Sequence, residues 1–485
     1  MDRKEHLVRR PGPQRNTDWA GWCKMVPRMP STRPETSTGF ARKAGRRNQT
    51  AAVLALVLLG SASARAQSAQ TNTPPPEPKR IVLTFEQRTR VEGLTNPFRL
   101  DELGPTRVLA FRTRLQVTVP RIAGPLGAFV ELQDSRSTWN DEPFVVPARH
   151  INHLDFKQVQ LRLGFDRLFG SRASGGTLLG RYTLDLGRRR LSARNGMRNT
   201  TNAFDGIQAW LDTGDGSSLL AFFSRPVRLD PYALDRSQGS RLFWGAWLTV
   251  RRWRSFQTEL YSLRLDESTN TATHRRFTTL GGRLYKAPSP GEPDYETELT
   301  WQGGMRGGQD HRAFFAHLEA GFTFRRARAR AAVFYDQVSG DRDPEDDRSE
   351  RFDTLFGARR FEYAPTGIYG PFFRGNIRGP GARLLLSPTP PVEIMIGHRV
   401  LWLSEAKDAW VGSGLRDPTG SSGRLLGHHL ETRLRWRLRR FLLAEAAWGH
   451  FFKGSYLENV PVGPRTPDSD HLTLTVGFGG TLLAR

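Results

Sequence analysis

The sequence has a single cysteine in 485 residues, Cys23, close to the N-terminus. The rest of the chain can form neither a disulfide nor a cysteine metal site, which excludes a disulfide-stapled secreted scaffold. Long apolar runs are also missing. The longest, Ala51 to Gly60, is too short to cross a bilayer as a helix, which needs about 18 or more apolar residues. With a mean hydropathy of −0.52, a helical membrane protein is excluded. Acid is scarce relative to base: 48 Asp and Glu against 72 Lys and Arg, a formal net charge of +24. The arginines are spread over the whole chain and no nucleic-acid-binding motif accompanies them, so nucleic acid is not the implied partner. Enzyme signatures are absent too. There is no nucleophile elbow, no His-Glu-x-x-His pair and no phosphate loop. The histidines, among them His317, His398, His428, His429 and His450, are scattered without a serine partner.

The short apolar run reads as an export signal. Arg42, Lys43, Arg46 and Arg47 precede it and Ala64-Arg65-Ala66 follows it. A positive segment, an apolar segment and a small-x-small site together predict general secretory export with cleavage after Ala66. Residues 1–66 are thus an N-terminal extension plus signal peptide, with Met25 and Met29 as alternative starts. The remaining chain carries 59 Lys and Arg and 44 Asp and Glu, a net charge of +15. Residues 67–79 form a polar, proline-rich periplasmic leader.

From residue 80 onward one pattern repeats. Segments of about 9–13 residues alternate apolar and polar, then a turn or loop follows. Ile81, Leu83, Phe85 and Val91 alternate with Thr84, Glu86, Arg88, Arg90 and Glu92. Leu109, Phe111, Leu115 and Val117 alternate with Arg112, Arg114, Gln116 and Thr118. Leu430, Leu434, Trp436 and Leu438 do so with Glu431, Arg433, Arg435 and Arg437, and the chain ends on the same pattern at Leu472–Leu482. Neighbouring side chains of a strand point to opposite faces, so each segment has one apolar and one polar face. The pattern predicts about 18 strands, near 80–92, 106–119, 126–134, 157–166, 177–186, 203–212, 217–225, 240–251, 255–265, 275–286, 293–304, 312–324, 327–338, 380–387, 391–404, 426–438, 441–452 and 470–484. Long connections (93–105, 135–156, 187–202, 226–239, 339–379, 405–425, 453–469) take turns with short ones, residues 167–176 excepted. Long loops on one rim and tight turns on the other characterise outer-membrane barrels.

The predicted fold is therefore all-β: a single transmembrane antiparallel barrel spanning 80–485, with long extracellular loops and short periplasmic turns, in the bacterial outer membrane. Lipid cannot satisfy backbone amides, so without spanning helices only a closed barrel will serve. Apolar parity faces lipid and polar parity faces an aqueous bore, as an 18-strand circumference permits. Trp244, Trp247, Tyr261, Trp402, Trp410 and Trp448 are candidates for interfacial girdles. By parity Arg88, Arg90, Arg112, Arg114, Arg162, Arg181, Arg328, Arg330, Arg433, Arg435 and Arg437 line the pore, where rings of Arg select anions and the guanidinium fork suits carboxylate. The competing reading pairs these arginines with inward acids (Glu86, Glu131, Asp185, Glu319, Glu431, Glu445) as wall stiffeners. The sequence implies no cofactor; the acidic run Asp341, Asp343, Glu345, Asp346 and Asp347 lies in the longest outer loop, where it is either a Ca²⁺ site or a solvated loop.

Several motifs fall in a familiar order. Gly180-Arg181, Gly187, Arg190-Leu191 and Asn202-Ala203-Phe204-Asp205-Gly206 come first. Ser339-Gly340-Asp341, Phe352-Asp353-Thr354-Leu355-Phe356 and Tyr369-Gly370 follow, then Gly427-His428-His429-Leu430-Glu431. This series resembles the bacterial alginate export porin family across the whole mature chain. Tyr182 departs from it, standing where the family has Gln, and Arg485 ends the chain in place of an aromatic. The resemblance implies an 18-stranded barrel passing an anionic uronate polymer across the outer membrane, with the barrel-assembly machinery and periplasmic export components as partners. A general anion-preferring porin and an adhesion or structural barrel are the alternatives.

Overall fold

In the computed structural model the described residues are 80–484, apart from 101–103, 140–149, 169–171, 252–255, 270–272 and 360–361. The export signal and leader lie outside them. Eighteen long strands form the body: β1 Val82–Leu94, β2 Thr106–Ala123, β3 Leu126–Thr138, β4 Asn152–Phe165, β5 Ser174–Tyr182, β6 Phe204–Asp212, β7 Ser218–Arg228, β8 Arg241–Val250, β9 Gln257–Glu267, β10 Arg275–Lys286, β11 Pro293–Arg306, β12 Gln309–Phe324, β13 Ala329–Val338, β14 Ile377–Thr389, β15 Val392–Trp402, β16 Leu425–Arg439, β17 Leu442–Lys453 and β18 Ser469–Ala484. Each pairs antiparallel with its neighbours in sequence, and β18 returns to β1 over Val82↔Ala484 to Leu94↔His471. The sheet is closed and has no free edge, the condition for crossing lipid as strands.

The alternation in the sequence becomes the two faces of this wall. In β18 Leu472, Leu474, Val476 and Phe478 are each about half exposed, whereas His471 and Thr473 between them are buried. Leu299, Trp301, Leu318, Val333 and Trp436 continue the outward apolar surface on other strands. An exposed apolar belt of this extent is unfavourable in water and natural in hydrocarbon. Tight turns need residues that tolerate positive φ, and Gly124 (φ 55°) supplies one between β2 and β3.

Two features differ from the sequence pattern. Trp247, Tyr261 and Trp410, candidates for the interfacial girdle, point inward and are buried. Trp247 stacks on Tyr261 at 4.1 Å, and Trp410 stacks on Phe98 at 5.3 Å. Trp448, also a candidate, does face outward, as do Trp301 and Trp436. The lumen is also not the wide bore that strand number suggests. The long loops after β5 (residues 183–203) and after β13 (residues 339–376) fold into it, joined by a backbone bridge between Ser192 and Phe356. Strand β5 accordingly ends at Tyr182, not 186, because Leu184 and Leu186 turn inward and are buried. The loop after β17 holds a short helix, Ser455–Asn459, with Tyr456 and Leu457 buried.

Candidate functional site

The inward loops leave a chamber at the short-turn, periplasmic end of the barrel. Its volume is about 1250 Å³. Strands β1 and β2 contribute Glu86, Arg88, Arg112 and Arg114. The end of β16 and the following turn contribute Arg435, Arg437, Arg439 and Arg440, and β17 contributes Glu445. Between β17 and β1, β18 presents Thr475, Gly477, Gly479 and Thr481, and the inward loops add Arg189, Asn195, Gly196, Met197 and Ala358. Period-2 alternation explains the grouping: Arg88↔Arg112 and Glu86↔Arg114 are cross-strand partners, as are Arg435↔Glu445 and Glu445↔Thr475.

The chamber arginines divide into two sets. The first holds the loop. Arg88 Nη1 donates to the Gly196 carbonyl at 2.7 Å and Nη2 to the Arg198 carbonyl at 2.9 Å. Arg112 Nη1 donates to Gly196 at 2.8 Å, and its Nη2 to Glu86 at 2.7 Å. Deeper in the lumen, Arg90 donates to the Met197 carbonyl and pairs with Glu92 at 2.6 Å, both fully buried. Glu92 in turn accepts the Ile368 backbone N–H at 3.2 Å, so this one pair touches both inward loops. The second set faces solvent. Arg437, Arg439 and Arg440 are exposed, and among the described residues none of the three pairs with an acid. Arg435 is half-way between, bound to Glu445 at 2.9 Å.

Behind the chamber lies a buried charge cluster. Arg190, from the loop after β5, binds Glu296 and Glu362 at 2.6 Å each and also contacts Glu298. Arg374 closes on Glu362 from the other loop. Burial opposes the charge on Arg190, but the carboxylates of Glu362, Glu296 and Glu298 outweigh it and raise its pKa above the ordinary arginine value. Burial likewise opposes the Glu362 charge, and Arg190 and Arg374 overcome it, holding that carboxyl well below the usual range.

Of the arginines that parity assigns to the pore, Arg88, Arg112, Arg114, Arg435 and Arg437 meet in the chamber. Arg90, Arg162, Arg330 and Arg433 share the inward face elsewhere on the wall. Arg162 rests on Gln160, and Arg330 on Asp294 and Glu319. Two depart from the sequence reading. Arg181 continues the outward row of Leu179 and binds Asp205 at 2.7 Å, outside the barrel. Arg328 occupies the turn before β13 with φ 48°, because the strand begins only at Ala329. Sequence reasoning missed Arg189, Arg439 and Arg440 in the chamber and Arg190 behind it; Arg190 alone stood in a quoted motif.

The acidic run after β13 is engaged by protein groups. Asp343 and Asp346 accept backbone N–H groups of Glu345 and Arg348, and Glu345 pairs with Arg416 at 2.9 Å. Among the described residues no three His, Cys, Asp or Glu side chains gather as a metal site. Asp341 is buried and its Oδ1 has no hydrogen-bond partner, while its N–H donates to Asp408 at 2.9 Å. Arg351 holds Asp408 at 2.8 Å. Burial, reinforced by the Asp408 carboxylate, pushes the Asp341 carboxyl up to about 6. A raised carboxyl pKa favours the closed loop below the unfolded value and loses that contribution as pH rises through about 6. Acidifying from pH 7.5 to 5 will therefore protect the amides around Asp341 from hydrogen exchange several-fold, and Asp341→Asn will abolish the difference. Equal protection at both pH values in the native chain, once the intrinsic pH dependence of exchange is divided out, refutes this.

A closed, lipid-facing barrel whose lumen is narrowed by inward loops over a cationic chamber defines an outer-membrane channel of the porin type. The chain belongs to the alginate export family, whose model matches residues 80–463. Its fold is similar to outer-membrane porins of known structure. Pseudomonas aeruginosa OccK3 (OpdO) aligns with TM-score 0.53 and 14% identity, over 83% of this chain and 96% of that one. Acinetobacter baumannii OccAB4 gives 0.56 and 11%, over 83% and 99%. Pseudomonas aeruginosa OccK11 (OpdR) gives 0.55 and 12%, over 83% and 96%. No curated protein sequence matches the chain.

Proposed function

We propose that this channel passes anionic polysaccharide of the polyuronate type, or its oligomers, and that the arginine chamber selects for the carboxylates. The observation that carries the reading is the exposed trio Arg437, Arg439 and Arg440, three guanidiniums at the chamber that pair with no acid among the described residues. A carboxylate entering there gains charge-assisted, bidentate hydrogen bonds. Exposure keeps each bond weak, so a polymer can exchange one site for the next, as conduction requires. Transport is passive. Assembly relies on the barrel-assembly machinery, and periplasmic export components would deliver the polymer. A second reading, a general anion-preferring porin for small solutes, is favoured by the loops that narrow the lumen.

Planar-bilayer recordings separate the two. The polyuronate reading expects anion selectivity and current block by uronate oligomers at lower concentration than by neutral glycans of equal length, strengthening with chain length. Block independent of length leaves only the small-solute reading, and cation preference removes both. Gly477→Trp probes the same space. A Cβ at Gly477 meets only the Leu443 carbonyl, at 3.9 Å, so a side chain can start there without a backbone clash and project into the chamber. It will lower both conductance and uronate block several-fold while the barrel folds normally. Unchanged block would place the conducting path elsewhere.

A further inference from the structure

A second concentration of arginine lies outside the barrel, at its extracellular rim. On β5, β6 and β7 the outward residues Leu179, Ile207 and Phe223 are about half exposed. Two positions nearer the rim the same faces carry Arg181, Asp205 and Arg225, which are cross-strand neighbours in one row. Just above, Arg228 pairs with Arg236 in the ribbon that folds back from β7, and both are exposed. Alternation thus changes from hydrocarbon-compatible to cationic within one step. Outward charge is costly at the bilayer centre, and the cost falls to nearly nothing at the interface, so this row marks the headgroup level.

Of the acids nearby, Asp205 is taken by a cation, whereas Asp230 is held by backbone groups and lies within electrostatic reach of Arg228 and Arg236. Asp205 binds Arg181 through both oxygens, at 2.7 and 3.0 Å, and also accepts the Ser237 hydroxyl. Asp230 accepts the N–H groups of Tyr232 and Ala233 at 3.0 Å each. Arg225 makes one bond, to the Gly239 carbonyl at 2.7 Å. The loop between Arg228 and Arg236 is tied to the outside of β4 by a backbone bond from His153 to Pro231, and Tyr232 packs edge-on against the His153 ring at 5.2 Å. Its tip shows Tyr232 and Leu234 to solvent, 73% and 60% exposed, beside Leu154. A cationic row with an exposed aromatic and aliphatic tip is the composition of a membrane-interface anchor.

We propose that Arg225, Arg228 and Arg236 bind the phosphate groups of an outer-leaflet phosphoglycolipid, lipid A in chemical class, with Tyr232 and Leu234 seated against its acyl chains. Arg181 is the positioning residue, holding Asp205 away from the phosphates. The site is independent of the channel. It gives the chain a fixed lipid on the β4–β7 face and braces the loop after β7 at the rim.

The test uses the full chain refolded in detergent with lipid A vesicles, then exchanged into clean detergent for native mass spectrometry. The native chain retains lipid A. Arg225→Gln/Arg228→Gln/Arg236→Gln weakens retention on the order of 100-fold, since each interfacial arginine contributes about fivefold toward an anionic surface. Dephosphorylated lipid A is retained no better by the native chain than by the variant. Tyr232→Ser/Leu234→Ser weakens retention without altering the cationic row. Equal retention by native chain and triple variant overturns the proposal, as does displacement of lipid A by inorganic phosphate at equal concentration. Conductance and uronate block, read on the same preparations, stay unchanged in the triple variant, so failure of the lipid site and failure of the transport reading are told apart.

Discussion

Replacing Arg437, Arg439 and Arg440 together by glutamine will cut the anion-over-cation permeability ratio roughly 60-fold at low ionic strength and roughly fivefold at 0.1 M salt. The size follows from Coulomb's law. A unit charge about 10 Å from a permeating ion in water contributes about 0.4 kcal/mol, so three stabilise an anion by about 1.2 kcal/mol and destabilise a cation by as much, a difference of about 2.4 kcal/mol before screening. One Debye length of separation at 0.1 M removes about two thirds of that. These side chains are exposed and carry no acidic partner among the described residues, so their loss leaves no stranded charge and little stability is at stake. Arg435 is deliberately left in place, since removing it would strand Glu445. Reversal potentials in a salt gradient read the ratio, and the steep salt dependence is the signature of exposed charge. If the ratio does not move at low salt, the chamber does not set selectivity, and the arginines that grip loop carbonyls become the remaining candidates.

The strands were legible in the sequence because lipid enforces alternation residue by residue. All eighteen predicted segments overlap observed strands, and 275–286 coincides with Arg275–Lys286. Phase was legible only where alternation is unambiguous. Leu178 and Leu179 are adjacent apolar residues, so β5 has no readable phase, and the outward residue Ile207 across the ladder decides that Arg181 faces out. Near Arg328 arginine and alanine alternate through a turn, which mimics a strand. Around Trp247 the small residues Gly245 and Ala246 carry little signal, and the tryptophan turned inward. The loops were not legible, because their anchors are distant. Arg88 finds its carbonyl partner 108 positions along the chain, and Arg190 finds Glu362 at 172. No local pattern encodes such a pairing. Among the inward arginines, Arg88 and Arg112 on β1 and β2 hold loop carbonyls and Arg112 also pairs with Glu86, whereas Arg437 at the end of β16 faces the chamber.

Arg190→Met will release the loop after β5 and raise conductance, while the barrel persists. Arg190 is buried among Glu296 and Glu298 of β11 and Glu362 of the second inward loop, so it ties one loop to the wall and to its neighbour. Removing one partner of a buried ion cluster costs about 3–5 kcal/mol, because the remaining charges lose compensation in a poorly solvated place. The strands do not depend on it: β5 and β6 keep their register from Ser174↔Asp212 to Tyr182↔Phe204. The lost energy must then be relieved locally, by the loop leaving and water reaching the carboxylates. Single-channel recordings will show larger, noisier openings, and trypsin will cut at Arg188 and Arg189 in the variant before it does so in the native chain. Heat-modifiable migration on gels will confirm an intact barrel. Adding Glu298→Gln to Arg190→Met removes the carboxylate whose cation is lost, while Glu296 keeps Arg283 and Glu362 keeps Arg374, and should restore much of the native conductance, since a neutral, hydrogen-bonded amide can stay buried. Native conductance and native protease resistance in the single variant would mean that the carbonyl contacts of Arg88, Arg90 and Arg112 suffice to hold the loop, and that the buried cluster is not its latch.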